Sequence, residues 1–269
     1  LLDMVQISYE KRVVCFIDIL GFTKMIKDTT DSENLGKLLN VCDAIKRVNI
    51  VQKIIEKINF KNATDDIRTS LFSDSIVISF PYNEDDDSIL AIFYLIKYIQ
   101  VNLIKDFSIL LRGGIVIGDV IHNNELLVGP AMIDAHILES KCAFSPRILI
   151  DPTVATLYNK TLKKRLKEKT WKDTTVIHKD SDNTSYIDYF NFTDNTDLLT
   201  HNELITYFEQ LCKMIAQYIN HNDMSIRVKY LWMQNKLQSS NLYKRKEFAD
   251  IYNEIVGNNG KKIIPPKNK

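Results

Sequence analysis

The run Val13-Val14-Cys15-Phe16-Ile17-Asp18-Ile19-Leu20-Gly21-Phe22 constrains the fold more than any other stretch. β-Branched and aromatic residues at this density predict a buried strand over 12–20. A lone carboxylate inside such a strand is expensive unless something cationic meets it. Gly21 then marks the turn at which the acid is presented. A second run repeats the pattern: Leu71-Phe72-Ser73-Asp74-Ser75-Ile76-Val77-Ile78-Ser79-Phe80. It predicts strands over 67–73 and 75–80, bent at Ser73-Asp74 into a hairpin. Two lone acids, each at an apolar strand, suggest a pair of metal ligands.

The rest of the chain supplies the elements around that pair. Apolar residues from Leu35 to Ile58 recur at three- and four-residue steps, which predicts a long amphipathic helical region opened by Asp31-Ser32-Glu33. The acidic run over 83–88 reads as a solvated loop capping the next helix, 88–104. Ile109 to Ile121 predicts a strand with Arg112 inside it, and Gly113-Gly114 leave room for a close approach. The tip 122–125 leads to a helix starting near Pro130. Arg147–Pro152 predicts a strand, 153–168 a Lys-rich helix, and Tyr186–Phe190 a late strand. From about residue 200 the pattern is helical, over 203–219, 223–238 and 243–256.

That order gives β-α-β-β-α-β, then a further strand, helix and strand. It predicts a ferredoxin-like α+β fold with a mixed or antiparallel sheet and helices on one face. The expected domains are 1–198, carrying the site, and 199–269, a helical C-terminal extension packing on it. On such a sheet the end of the first strand lies beside the hairpin, so Asp18 and Asp74 would converge. Paired carboxylates call for a divalent cation, and oxygen ligands select Mg²⁺ or Mn²⁺ over zinc. Two such ions activate an oxygen nucleophile and neutralise phosphates. The Ile19 carbonyl would add a ligand, and the amides of Gly21 and Phe22 a phosphate cradle. Arg112 suits phosphate oxygens, with a salt bridge inside the core as the alternative.

Lys+Arg 35 against Asp+Glu 34 gives a net charge of +1, which calls for neither nucleic acid nor an anionic membrane. The four cysteines, Cys15, Cys42, Cys142 and Cys212, form no CxxC pair and fit a reducing compartment. Leu1–Val5 lacks the order of a signal peptide, and apolar runs fall short of the ~18 residues of a membrane span. A cytoplasmic protein is expected. His122, His136, His178, His201 and His221 form no metal-ligand spacing and read as structural or solvated. Asp119 reads as a hairpin polar residue, Asp134 and Glu139 as dimer or surface groups, and Trp171 and Trp232 as core.

Phe16-x-Asp18-Ile19-x-Gly21-Phe22, Asp74 between two strands, and Leu111-Arg112-x-Gly114-Ile115-x-x-Gly118 resemble the class III nucleotidyl cyclase catalytic domain. Asp18-Ile19-Leu20-Gly21-Phe22, Phe72-Ser73-Asp74-Ser75-Ile76-Val77-Ile78-Ser79, Arg112-Gly113-Gly114-Ile115, and Gly129-Pro130-Ala131 followed by Leu138-Glu139-Ser140 resemble the Pycsar pyrimidine cyclases of bacterial anti-phage defence. The resemblance covers roughly residues 10–192. It implies that Asp18 and Asp74 bind two metal ions with the Ile19 carbonyl, and that Arg112 binds phosphates. Phe16, Ile19, Gly21, Phe22, Ser70 and Arg112 are then the substrate-binding positions. It implies attack of the ribose 3′-oxygen on the α-phosphorus at a homodimer interface, and a product read by a separate effector protein.

The chain departs from the purine cyclases of that superfamily. Their base-selecting Lys and Asp correspond to Ser70 and Leu126, which argues against ATP. Their transition-state Asn and Arg correspond to Ile133 and Ile137, a departure that the Pycsar group shares. Arg147 and Lys179 are substitutes by charge alone. The expected function is therefore a pyrimidine cyclase acting on UTP, with CTP second. A purine cyclase with unusual base recognition and a degenerate fold that binds nucleotide as a sensor are the rivals.

Overall fold

The structure, a computed structural model, describes residues 8–27, 29, 35–36, 39, 64, 66–85, 87–169, 176–192 and 199–257. The amphipathic region over 35–58 lies almost wholly outside the described residues, as do Trp171 and Asp86. The chain forms two compact units: residues 1–100 with 109–188, and residues 101–108 with 189–269.

The first unit is built on a mixed sheet. Its strands are β1 (Glu10–Ile19), β2 (Arg68–Phe72), β3 (Ser75–Pro81), β4 (Leu111–His122), β5 (Leu127–Val128), β6 (Ile148–Ile150), β7 (Ile177–Lys179) and β8 (Ser185–Ile187). The order is β2-β3-β1-β4-β6-β8-β7, with β5 paired to β4. Its β2-β3-β1-β4 part, with helices after β1 and β3, is the ferredoxin-like arrangement expected from the sequence. β4 and β6 run parallel, and the other pairings are antiparallel. β7 was not expected. It has three residues, two of them exposed, and carries no alternating pattern to read.

The helices of this unit are α1 (Phe22–Lys27), the start of α2 (Ser88–Phe107), α3 (Pro130–Cys142) and α4 (Pro152–Lys167). α3 lies on the face that carries Val14, Phe16, Val77, Val116 and Val120, and buries Ala131 and Ala135 there. Burial goes further than one covered face. Val13, Val14, Cys15, Phe16 and Ile17 are all buried in succession, so β1 is covered on both sides. By length and composition α2 resembles a membrane span, yet 83% of its apolar window is buried inside the protein. Phe93 of α2 stacks on Tyr158 of α4 with ring centroids 5.3 Å apart. Asp87, expected in a solvated loop, is instead buried and meets Arg165 at 2.5 Å.

Two glycines let α3 approach β4. A Cβ on Gly114 would lie 2.5 Å from the Ala135 carbonyl oxygen and 2.9 Å from Leu138 Cβ, and one on Gly118 3.0 Å from Ala131 Cβ. Gly114→Ala is therefore expected to destabilise by about 1–3 kcal/mol through overpacking. Urea unfolding measures it, and an unchanged midpoint would contradict the close approach.

The second unit contains α5 (His201–Tyr218), α6 (Met224–Ser239) and α7 (Lys246–Tyr252), which continues as a π-helical turn. Thr200 and Glu203 close a capping box at the start of α5. Phe208 meets Phe248 edge-on at 4.9 Å, Trp232 packs against Phe190 at 5.7 Å, and Tyr207 donates to the Tyr189 carbonyl.

Candidate active site

Sheet register sets the first contacts. In β1, Asp18 stands opposite Ser75 of β3 on one side and Arg112 of β4 on the other. Asp74 precedes Ser75 in a two-residue turn whose first residue, Ser73, has φ 50. The Ile19 amide donates to the Asp74 carbonyl oxygen at 2.8 Å. Asp18, Ile19 and Asp74 are thus neighbours at one end of the sheet, and Asp18 and Asp74 are both partly exposed.

Arg112 meets carboxylates from two elements. Its Nη2 donates to Asp18 Oδ2 at 3.3 Å and contacts the carboxylate of Glu139 from α3. Its Nε is buried with no hydrogen-bond partner among the described residues. The salt bridge weighed as the alternative for Arg112 is present in the structure.

Glu139 is the site residue that sequence reasoning missed. The sequence reads it as a dimer or surface group, whereas in the structure it is only 3% exposed. Burial raises its pKa above the ordinary carboxylate range, with Asp18 adding to the rise and Arg112 opposing it. The available signal was spacing: Ala131, Ala135 and Glu139 follow each other at four-residue steps on the face turned to Gly118 and Gly114.

The other expected substrate positions divide. Phe16 and Phe22 are buried, and Phe16 lies edge-on to His136. Their side chains pack the scaffold. Gly21 is exposed with φ 83, a conformation glycine adopts freely, and its carbonyl accepts the Lys24 and Met25 amides at the start of α1. Ser70 projects from β2, partly exposed, with Oγ 2.9 Å from His122 Nε2. Leu126, Ile133 and Ile137 are exposed.

Neither substitute cation is free to serve. Arg147 is buried, its guanidinium held by Asp180 and Asp182 at 2.5 Å each. Lys179 lies on β7, four strands from β1, which is about 19 Å at ~4.8 Å per strand. Among the described residues no three His, Cys, Asp or Glu side chains form a metal cluster. Any ion here would rest on two carboxylates, a backbone carbonyl and oxygens of its substrate.

A polar network occupies the other end of the same face. Arg12 is fully buried and reaches Glu10, Asp66 and Ser79. Arg68 joins Asp66, Glu10 and the His122 carbonyl. The His122 ring lies between Ser70 and Ser79. Burial, with the charges of Arg12 and Arg68, lowers the His122 pKa from 6.5 to about 4. Between those values the unfolded chain binds a proton that the folded protein refuses, so stability falls as pH drops from about 6.5 towards 4. His122→Gln is expected to flatten the dependence of the urea midpoint on pH in that window. A parallel dependence would remove His122 as its source.

No family model matches the chain. No curated protein does either. Among solved structures it is similar to the monomeric guanylyl cyclase domain of a RhoGC fusion protein from the aquatic fungus Blastocladiella emersonii. Identity is 18%, the TM-score 0.44, and coverage 67% of this chain and 95% of that one. It is also similar to the catalytic core of a rhodopsin-guanylyl cyclase with converted specificity in complex with ATPαS, at 18% identity and TM-score 0.42, covering 67% and 96%. A class III adenylyl cyclase-like ATP-binding protein from Pseudomonas aeruginosa matches at 15% identity and TM-score 0.39, covering 56% of this chain and 35% of that one. The fold described above stands on the strand order alone.

Proposed function

We propose that the protein is a nucleotidyl cyclase that converts a pyrimidine nucleoside triphosphate, UTP before CTP, into its 3′,5′-cyclic monophosphate and pyrophosphate. The observation that carries the reading is the sheet end at which Asp18, Asp74 and Ile19 are neighbours and Arg112 stands opposite Asp18. The donor set is oxygen only, which fits Mg²⁺ or Mn²⁺. Asp18, Asp74 and the Ile19 carbonyl would hold two such ions. Bound there, the ions supply Lewis-acid activation of the 3′-hydroxyl and neutralise phosphate charge.

The reaction forms an O3′–Pα bond and breaks the bond from Pα to the pyrophosphate oxygen, and the hydroxyl proton passes to water. Arg112 contributes a guanidinium whose Nε has no partner among the described residues and whose Nη2 is shared with Asp18 and Glu139. Exchange of a carboxylate for a phosphate oxygen keeps its charge compensated. Glu139, buried and high in pKa, sets how tightly Arg112 is held before substrate arrives.

The reading includes a homodimer with sites at the interface. Exposed Ile133 and Ile137, one turn apart on α3, with exposed Phe144 beyond them, support a second copy as partner. The resemblance to Pycsar cyclases extends the proposal to a cytoplasmic enzyme whose product signals to a separate effector in anti-phage defence. One rival is a sensor that binds nucleotide without turnover, and the intact pair of Asp18 and Asp74 argues against it, because a binder has little need of two costly carboxylates. Pyrophosphate release from each of the four NTPs with Mn²⁺ and then Mg²⁺ separates the readings. UTP should be fastest and CTP second. Release from ATP or GTP alone would make it a purine cyclase, and release from none would leave the sensor.

A further inference from the structure

We propose that His122 fixes the Ser70 hydroxyl as a hydrogen-bond donor to the bound base, so that the site selects the carbonyl edge of uracil over the amino edge of cytosine. This rests on the cyclase reading above for the presence of a base near Ser70. The direction of the hydrogen bonds follows from the chain's own residues.

Arg12 is a group that only donates. Its Nε donates to Ser79 Oγ at 2.9 Å. Ser79 is fully buried, and among the described residues its Oγ has one other partner, His122 Nδ1, at 2.8 Å. The Ser79 hydroxyl hydrogen cannot go to Arg12, so it goes to Nδ1, because a buried donor left unpaired is costly. Nδ1 is therefore the acceptor, and the neutral ring carries its hydrogen on Nε2. Nε2–H then donates to Ser70 Oγ at 2.9 Å. Burial and the charges of Arg12 and Arg68 keep the ring neutral near pH 7.

Ser70 Oγ thus accepts from inside the protein, and its own hydrogen meets no acceptor among the described residues. Ser70 is partly exposed on β2, the edge strand of the sheet, while α3 packs against β1, β4 and β6. Phe72, two residues along and so on the same face, is 50% exposed. An exposed ring beside a directed hydroxyl suits a planar heterocycle with an acceptor on its edge. The 4-position of uracil carries a carbonyl acceptor. Cytosine carries an amino donor there, which would face the Ser70 donor.

Two measurements test this on the full chain. The first is the ¹⁵N spectrum of the imidazoles at pH 7 without nucleotide, with His122 assigned by loss of its signals in His122→Gln. The Nε2–H tautomer is expected, and an Nδ1–H tautomer would overturn the proposal whatever the protein's activity. The second is the UTP to CTP ratio of kcat/KM. Ser70→Ala should lower it by about 10- to 100-fold, and Ser70→Thr, which keeps the hydroxyl, should preserve it. An unchanged ratio in Ser70→Ala, or a wild-type preference for CTP, would overturn the proposal. A wild type that turns over no NTP refutes the cyclase reading instead, and the same ratio is then read from equilibrium binding of UTP and CTP.

Discussion

Asp74→Asn is expected to lower cyclic nucleotide formation by about 10³-fold, while the thermal midpoint moves by less than about 4 °C. The two halves of that expectation have separate causes. The Asp74 side chain is partly exposed at a turn, so an isosteric amide costs the fold little. Its backbone carbonyl, which accepts the Ile19 amide, is unchanged by the substitution. The carboxylate charge that would hold a divalent ion is lost. Asp18→Asn is a less clean test because Asp18 also pairs with Arg112, so the change disturbs two functions at once. Wild-type turnover in Asp74→Asn would remove Asp74 from the metal site.

Arg112→Ala should lose both activity and stability, and a second substitution separates the two losses. Removing Arg112 strands the Glu139 carboxylate, which is 3% exposed. Breaking such a buried pair costs about 3–5 kcal/mol, most of it from the unpaired charge. Activity falls by about 10²–10³-fold if Arg112 meets developing charge on the phosphates. Arg112→Ala combined with Glu139→Gln removes the stranded charge and should recover most of the stability but none of the activity. Chemical denaturation and turnover measured on the wild type and the two variants read this directly. Recovery of activity along with stability would make Arg112 a core ion pair and nothing more.

The parts of this protein legible in the sequence are those where one residue conflicts with its surroundings. Asp18 in an apolar strand and Arg112 in another signal partners, and sheet register places them opposite each other. The ferredoxin-like order follows because the strands are long and strongly patterned. Glu139 gave no such conflict. It sits on a helix with polar neighbours, and its burial depends on how closely Gly114 lets α3 approach. His122 lay at what read as a hairpin tip, and its role depends on two serines 43 and 52 residues away in sequence. Such long-range pairings leave no periodicity. Arg147 is the reverse case: charge alone makes it a substitute donor in the sequence, and in the fold Asp180 and Asp182 hold it.

The most direct test of the account is the chemical identity of the product. Purified protein incubated with equal concentrations of UTP, CTP, ATP and GTP and with Mn²⁺, followed by chromatographic separation and mass measurement, is expected to yield 3′,5′-cyclic UMP with stoichiometric pyrophosphate. Recovery of all four triphosphates unchanged, or of linear monophosphates only, would contradict it.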